Sequence, residues 1–249
     1  MAFKDHFSKQ AEDYARYRPR YPDELFAFLA GLVPEHDCAW DCGTGSGQAA
    51  LALARHFARV IASDPSARQI AQARSHARVC YVMAEAEHIG IAAQAVDLIT
   101  VAQALHWFQL DVFYAEVRRV LKPGGVLAVW CYDLLRLTPE IDALLDDFNR
   151  TVVGAFWPLE RQWVGARFAE LPFPFAELAV PAFEMSASWR LQDLLGYLGT
   201  WSATQRFIAA RGFDPVTQLG ERLALVWGNP ADARHMRWPL FVRAGMLRH

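Results

Sequence analysis

The chain has 249 residues, 53% of them hydrophobic, and a formal net charge of −2 at pH 7. That length and apolar content suit a single domain with one large core, and the lack of a basic excess excludes a surface built to cover nucleic-acid phosphates. Residues 1–22 are charged with no secretory apolar run, and the most apolar window, "AVDLITVAQALHWF", is broken by Asp97, Gln103 and His106 and too short to cross a bilayer.

A cytoplasmic protein with no membrane and no nucleic-acid partner is therefore expected. In chain order, "CAWDC" (Cys38–Cys42) reads as a buried strand and "QAALALARHF" as the helix after it. "RVIASD" (Arg59–Asp64) gives a second strand, and "SARQIAQARSHA" a helix with Ser66 placed to cap it. A third strand falls at 79–84, a fourth in "AVDLITVAQA", and an amphipathic helix in "LDVFYAEVRRVL". "KPGG" stops that helix before a fifth strand at 126–132. Strands apolar on both faces and separated by helices imply a parallel sheet covered on both sides.

After Tyr132 the rhythm changes. Residues 138–153 read as helix, followed by an aromatic, proline-broken stretch. "ELAVPAFEMSAS" alternates like a strand, with Pro181 pointing to an edge or bulge. Helices are expected over about 191–210 and Pro215–Trp227, and "RWPLFVRAGML" reads as a closing strand. Cys38, Cys42, Cys80 and Cys131 lack metal-ligand spacing and read as small core hydrophobes, so no metal is expected.

The stretch "WDCGTGSGQ" carries the chemistry. A dinucleotide fingerprint needs a third glycine where Gln48 stands; the pattern here is Asp41, Gly43, Gly45, Gly47. A carboxylate two residues before the first glycine suits a ligand ammonium better than a pyrophosphate. Glycine permits the positive φ and close backbone approach that such a turn requires. Asp64 ends the second strand 21 residues beyond Gly43, the distance of a ribose-binding carboxylate. A ligand with both an amino-acid end and a ribose is S-adenosylmethionine.

With the order of elements, these residues resemble the class I methyltransferases that use S-adenosylmethionine. "MAEAEHI", "VDLITVAQALHWF" and "RVLKPGGVLAVW" carry the same resemblance. It implies a Rossmann-like, mostly parallel, seven-stranded α/β sheet with helices on both faces and a helical cap. It further implies that Glu85 and Ala86 read the adenine edge. "FSKQAEDYARYRPRYP", "ALHWF", "MSASW", "GYLGTWSATQRF" and "WPLFVRAG" extend it to the group containing trans-aconitate methyltransferase, whose members methylate small molecules, some of them carboxylates. That group implies Tyr14 and Arg18 over the methionine end of the cofactor.

The expectation is one domain over residues 1–249: a lid at 1–34, a cofactor-binding half at 35–132, and cap helices with the last two strands at 133–249. Asp41, Gly43, Gly45, Asp64, Pro65, Glu85, Ala86 and Gln103, with Tyr14 and Arg18, are the candidate cofactor residues. Asp41 and Asp64 read alternatively as caps of turns, Glu85 as a solvated carboxylate, and Gln103 as a backbone partner. His106, Trp107, Tyr197, Trp201 and Arg206 are candidates for the acceptor side, with His106 the candidate catalytic base and arginine suited to a carboxylate. Packing is the competing reading for the aromatic residues and for His106.

The activity expected is methyl transfer from S-adenosylmethionine to a small molecule, a carboxylate giving a methyl ester, with S-adenosylhomocysteine released. A carboxylate is already ionised and needs no base, and a dry aromatic pocket favours charge annihilation. A nicotinamide-dependent oxidoreductase and a non-catalytic S-adenosylmethionine-binding protein are the alternatives. Either a monomer or a homodimer is compatible with the sequence.

Overall fold

The structure, a computed structural model, describes residues 19–247. A helix, α1 (Asp23–Gly31), precedes strand β1 (Cys38–Cys42), and α2 (Gln48–Leu53) follows the glycine loop. Next come β2 (Arg59–Asp64), α3 (Ala67–Ala71), β3 (Val79–Met83), β4 (Val96–Ala102), α4 (Leu110–Val120) and β5 (Leu121–Tyr132). The second half holds α5 (Pro139–Asp147), α6 (Gln162–Gly165), β6 (Ala176–Glu177), β7 (Phe183–Trp189), α7 (Leu191–Gly199), α8 (Ser202–Arg211), α9 (Pro215–Trp227) and β8 (Arg234–Met246).

The expected fold class stands, with eight strands in place of seven. The order is β3-β2-β1-β4-β5-β8-β6, and β7 also pairs with β8. The first five strands are parallel; β8 runs antiparallel to β5, and β6 and β7 antiparallel to β8. The extra strand is the two-residue β6, too short to leave an alternating pattern. Pro181 lies between β6 and β7, where its missing N–H costs no ladder bond.

Side chains alternate between two cores, as strand geometry requires. Ala39, Leu98, Ala128 and Trp130 face α1, α2 and the late helices. Trp40, Ile99, Leu127 and Val129 face α4 with Phe113 and Val117. Cys38, Cys42 and Cys131 are buried and Cys80 is exposed, so the core reading holds for three of the four.

Three helices are shorter than their apolar periods suggest. α2 ends at Leu53, α3 at Ala71, and the expected 191–210 helix breaks at Thr200–Trp201. Ser66 does cap α3, accepting from the Gln69 N–H at 3.3 Å. The 138–153 helix is present but changes to π geometry over Phe148–Val152.

At the amino ends of the strands Lys122 bridges Glu35, Asp37 and Asp97 at 3.0, 2.9 and 2.8 Å. Asp97, only 3% exposed, also accepts from the Asp37 and Cys38 N–H groups. This clasp lies at the opposite end of the sheet from the glycine loop.

Candidate functional site

Gly43, Gly45 and Gly47 have φ of 70°, 55° and 84°, the left-handed region that glycine tolerates without strain. The Gly43 and Thr44 N–H groups both donate to the Ser63 carbonyl, folding the loop back over β2. Asp64 holds the other side, accepting from the Gly45 N–H at 2.9 Å and the Ser66 N–H at 2.8 Å. Pro65, half-buried, follows it.

Asp41 is placed differently from the expectation of an acid facing a ligand. It has no exposed surface, and its two oxygens accept from the Thr44 hydroxyl at 2.6 Å and the Thr100 hydroxyl at 2.8 Å. Burial pushes its carboxyl up to about 6, against those two hydrogen bonds. Asp41 therefore sits beneath the loop and supports it.

Beyond β3, Glu85 is exposed and Ala86 buried, in a turn beside β2 where Ala84 donates to the Asp64 carbonyl. Gln103, just past β4, has φ of 59°, a conformation that costs a non-glycine residue energy. Its side chain offsets that cost by exchanging hydrogen bonds with the Tyr132 backbone at 3.1 and 3.2 Å. Of its two readings, the backbone partner is the one seen.

A cavity of about 90 Å³ opens at the carboxyl ends of β4 and β5, where open α/β sheets bind ligands. It gathers Gln103, His106, Trp107, Tyr197 and Trp201 from the sequence reading. Ala104 ties it to the glycine loop, because a Cβ on Gly43 would stand 2.6 Å from that of Ala104. Arg206 is not among the lining residues; it donates to the Phe156 carbonyl. Tyr14 and Arg18 lie outside the described residues.

The cation in this cavity is Arg161, which sequence reasoning missed. It donates to Asp133 at 3.0 Å and lies over the Trp157 ring, 5.0 Å from the centroid. The hint available was "WPLERQW", an arginine between tryptophans, but nothing local tied it to a cavity whose other walls come from the ends of β4 and β5 and the α7–α8 joint. His106 packs against Trp107 and Phe168, and its Nδ1 has no hydrogen-bond partner among the described residues. Burial, aided by the Arg161 charge, pulls the ring down to about 3, so it is neutral at physiological pH.

Comparison with known proteins decides the family. A family model described as a methyltransferase domain matches residues 40–151. A provisionally named methyltransferase of Dictyostelium discoideum is 35% identical over 225 residues, covering 89% of this chain and 86% of its own. The solved structure of a provisionally named type II methyltransferase from Anaeromyxobacter dehalogenans is 45% identical, with a TM-score of 0.88 over 93% of this chain and 99% of the other. A malonyl-[acyl-carrier protein] O-methyltransferase of Dechloromonas aromatica is 31% identical over 118 residues, 47% of this chain and 44% of its own.

The chain belongs to the S-adenosylmethionine-dependent methyltransferases.

S-adenosylmethionine is accordingly the cofactor of this methyltransferase and S-adenosylhomocysteine its product, and the nicotinamide alternative falls. The residues present fit the group. At Gly45 an added Cβ would meet only the Gln69 side chain, 3.9 Å away, so the loop leaves backbone open at that point. Asp64, buried with 8% of its surface exposed, stands at the end of β2 beside it. Among the described residues no helix is long and apolar enough to cross a membrane.

Proposed function

We propose that this methyltransferase esterifies a small carboxylate in the cavity beside the glycine loop, as a cytoplasmic member of the group related to trans-aconitate methyltransferase. The observation that carries the reading is Arg161 in an aromatic cavity. Stacked on Trp157, its guanidinium hydrogen-bonds only Asp133 among the described residues, which leaves further N–H groups for an incoming carboxylate. The O-methyltransferase of Dechloromonas aromatica agrees in the class of atom methylated.

S-adenosylmethionine, when bound, supplies an electrophilic methyl on a sulfonium sulfur. The residues of the chain hold and align. Gly45 leaves room for the methionine end, with Gly43 packed on Ala104 behind it; Asp64 and Pro65 face the ribose, and Glu85 and Ala86 lie toward the adenine. Tyr14 and Arg18, which lie outside the described residues, are the further residues assigned to the methionine end.

Arg161 would hold an acceptor carboxylate toward the bound cofactor, which would supply the methyl group for the new C–O bond and keep the electron pair of the C–S bond on sulfur. Alignment supplies much of the rate. Opposite charges annihilate in this step, which the walls of Trp107, Trp157, Tyr197 and Trp201 favour by excluding water. His106, neutral and pulled down to about 3, is a weak base. That suits an acceptor with no proton to lose and disfavours phenols and amines.

The test uses methyl-labelled cofactor with panels of small mono- and dicarboxylates, phenols and amines. Label that alkali releases as methanol is expected from carboxylates. For the accepted carboxylate, Arg161→Ala should raise KM about 10-fold or more while the cofactor Kd stays unchanged. Alkali-stable label, carried only by phenols or amines, would overturn the reading.

A further inference from the structure

The acid beneath the glycine loop is joined to two elements. Asp41 and Thr100 are register partners on β1 and β4, so their side chains stand together on one sheet face. Thr100 has no exposed surface, and its hydroxyl donates to Oδ1 of Asp41 at 2.8 Å. From the loop, the Thr44 hydroxyl donates to Oδ2 at 2.6 Å. Thr44 also pins the loop through its backbone: its N–H donates to the Ser63 carbonyl, and its carbonyl accepts from Gly47. The position of β4 is thus passed to the loop through one carboxylate.

We propose that Thr100, Asp41 and Thr44 form a relay that sets the glycine loop for S-adenosylmethionine, with Thr100 a positioning residue that never touches the cofactor. The proposal rests on the cofactor assignment and is independent of the acceptor. The two hydroxyls keep Asp41 ionised against burial. Asp64, at the end of β2, pushes Asp41 up as well, while the Ala50 amide of α2 holds it down. The Cys42 thiol and the Tyr81 phenol, also near, are both pushed above their ordinary values and stay neutral at physiological pH. A protonated Asp41 would have to donate a hydrogen bond where it now accepts two, so one hydroxyl would turn away. Losing the Thr100 donor makes that protonation easier.

Thr100→Val keeps the side chain's shape and deletes the hydroxyl. Calorimetric titration of the full chain with S-adenosylhomocysteine, from about pH 5.5 to about 8.5, reads the relay. Wild type is expected to lose affinity below about pH 6, the range in which Asp41 protonates. In Thr100→Val the loss should begin about one unit higher. Its affinity should then be about 3-fold weaker than wild type near pH 6.5 and within about 2-fold near pH 8.5. Thr100→Ser should restore the wild-type profile.

A Thr100→Val profile that superposes on wild type overturns the relay. So does an equal loss at every pH that serine does not repair, since that would be packing alone. Should Thr100→Val not fold, Thr100→Ala carries the same expectations. Wild type that binds no S-adenosylhomocysteine at any pH would instead overturn the cofactor assignment.

Discussion

At Gly43 a Cβ would press on Ala104 at 2.6 Å, whereas at Gly45 the nearest atom is 3.9 Å away. Both positions have positive φ, so alanine at either costs on the order of 1 kcal/mol of backbone strain. Only Gly43→Ala adds a steric clash in the protein itself. Its melting midpoint should therefore fall clearly further than that of Gly45→Ala. Gly45→Ala should fold and yet bind S-adenosylmethionine at least about 10-fold more weakly, because its new methyl occupies the approach the cofactor needs. Equal affinity for Gly45→Ala and wild type in a titration would place the cofactor elsewhere. His106 makes a separate prediction. Folded it is held at about 3, against an ordinary 6.5, so as pH falls the unfolded chain takes up a proton that the folded ring refuses. Its contribution to stability is full above about pH 7 and is lost as pH falls toward 3. His106→Gln should therefore melt closer to wild type near pH 4.5 than near pH 7.5; Asp41, present in both, cancels in that difference. A gap that widens on acidification would mean that His106 is charged when folded.

The break between α7 and α8 shows how an element shapes the cavity. The Thr200 hydroxyl donates to the Tyr197 carbonyl, that of Thr204 to the Leu198 carbonyl, and the Gln205 amide to the Gly199 carbonyl. Three side chains thus satisfy the last carbonyls of α7, the chain turns, and Trp201 enters the cavity wall. Thr204→Val removes one of these bonds without changing volume. It should raise the acceptor KM several-fold, about 3- to 10-fold, while the cofactor Kd stays at the wild-type value. A change in cofactor Kd instead would mean that the cap and the glycine loop are coupled. This joint also marks where sequence reading stops. The apolar period runs through Thr200 and Trp201 unbroken, and the polar groups that end α7 carry no pattern of their own. The parallel strands were legible because burial on both faces leaves continuous apolar runs. The glycine loop was legible because positive φ demands a particular residue. Arg161 was not, since its role depends on β5, α7 and the 157–164 segment meeting in space. Asp41 was found as a residue, but its burial beneath the loop follows from the register of β1 on β4, which the sequence does not display.

Across the whole molecule the two ends of the sheet divide the work. The carboxyl ends hold the loop, Asp64 and the cavity; the amino ends hold Lys122 and its three carboxylates. Lys122 is 23% exposed and Asp97 3% exposed, so of the three pairs that with Asp97 is the least screened by water. Hydrogen bonds that the Lys122 ammonium donates to Asp97, Asp37 and Glu35 hold it above its ordinary value, so it stays charged at physiological pH. Removing the cation leaves Asp97 buried, with two backbone N–H donors but no opposing charge. Lys122→Met keeps the aliphatic stem and should cost about 2 kcal/mol, toward the low end for breaking a buried pair because the lysine is partly wet. For a domain of this size that lowers the melting midpoint by roughly 4 to 8 °C. Cofactor affinity and turnover at 25 °C should be unchanged, because β1 and β4 stay paired from Ala39↔Leu98 to Asp41↔Thr100, between the clasp and the loop. Melting and cofactor titration of the same sample check both halves. A variant that keeps its midpoint would show Asp97 to be satisfied by its backbone donors alone. One that loses affinity at 25 °C would show that the clasp reaches the glycine loop through β1.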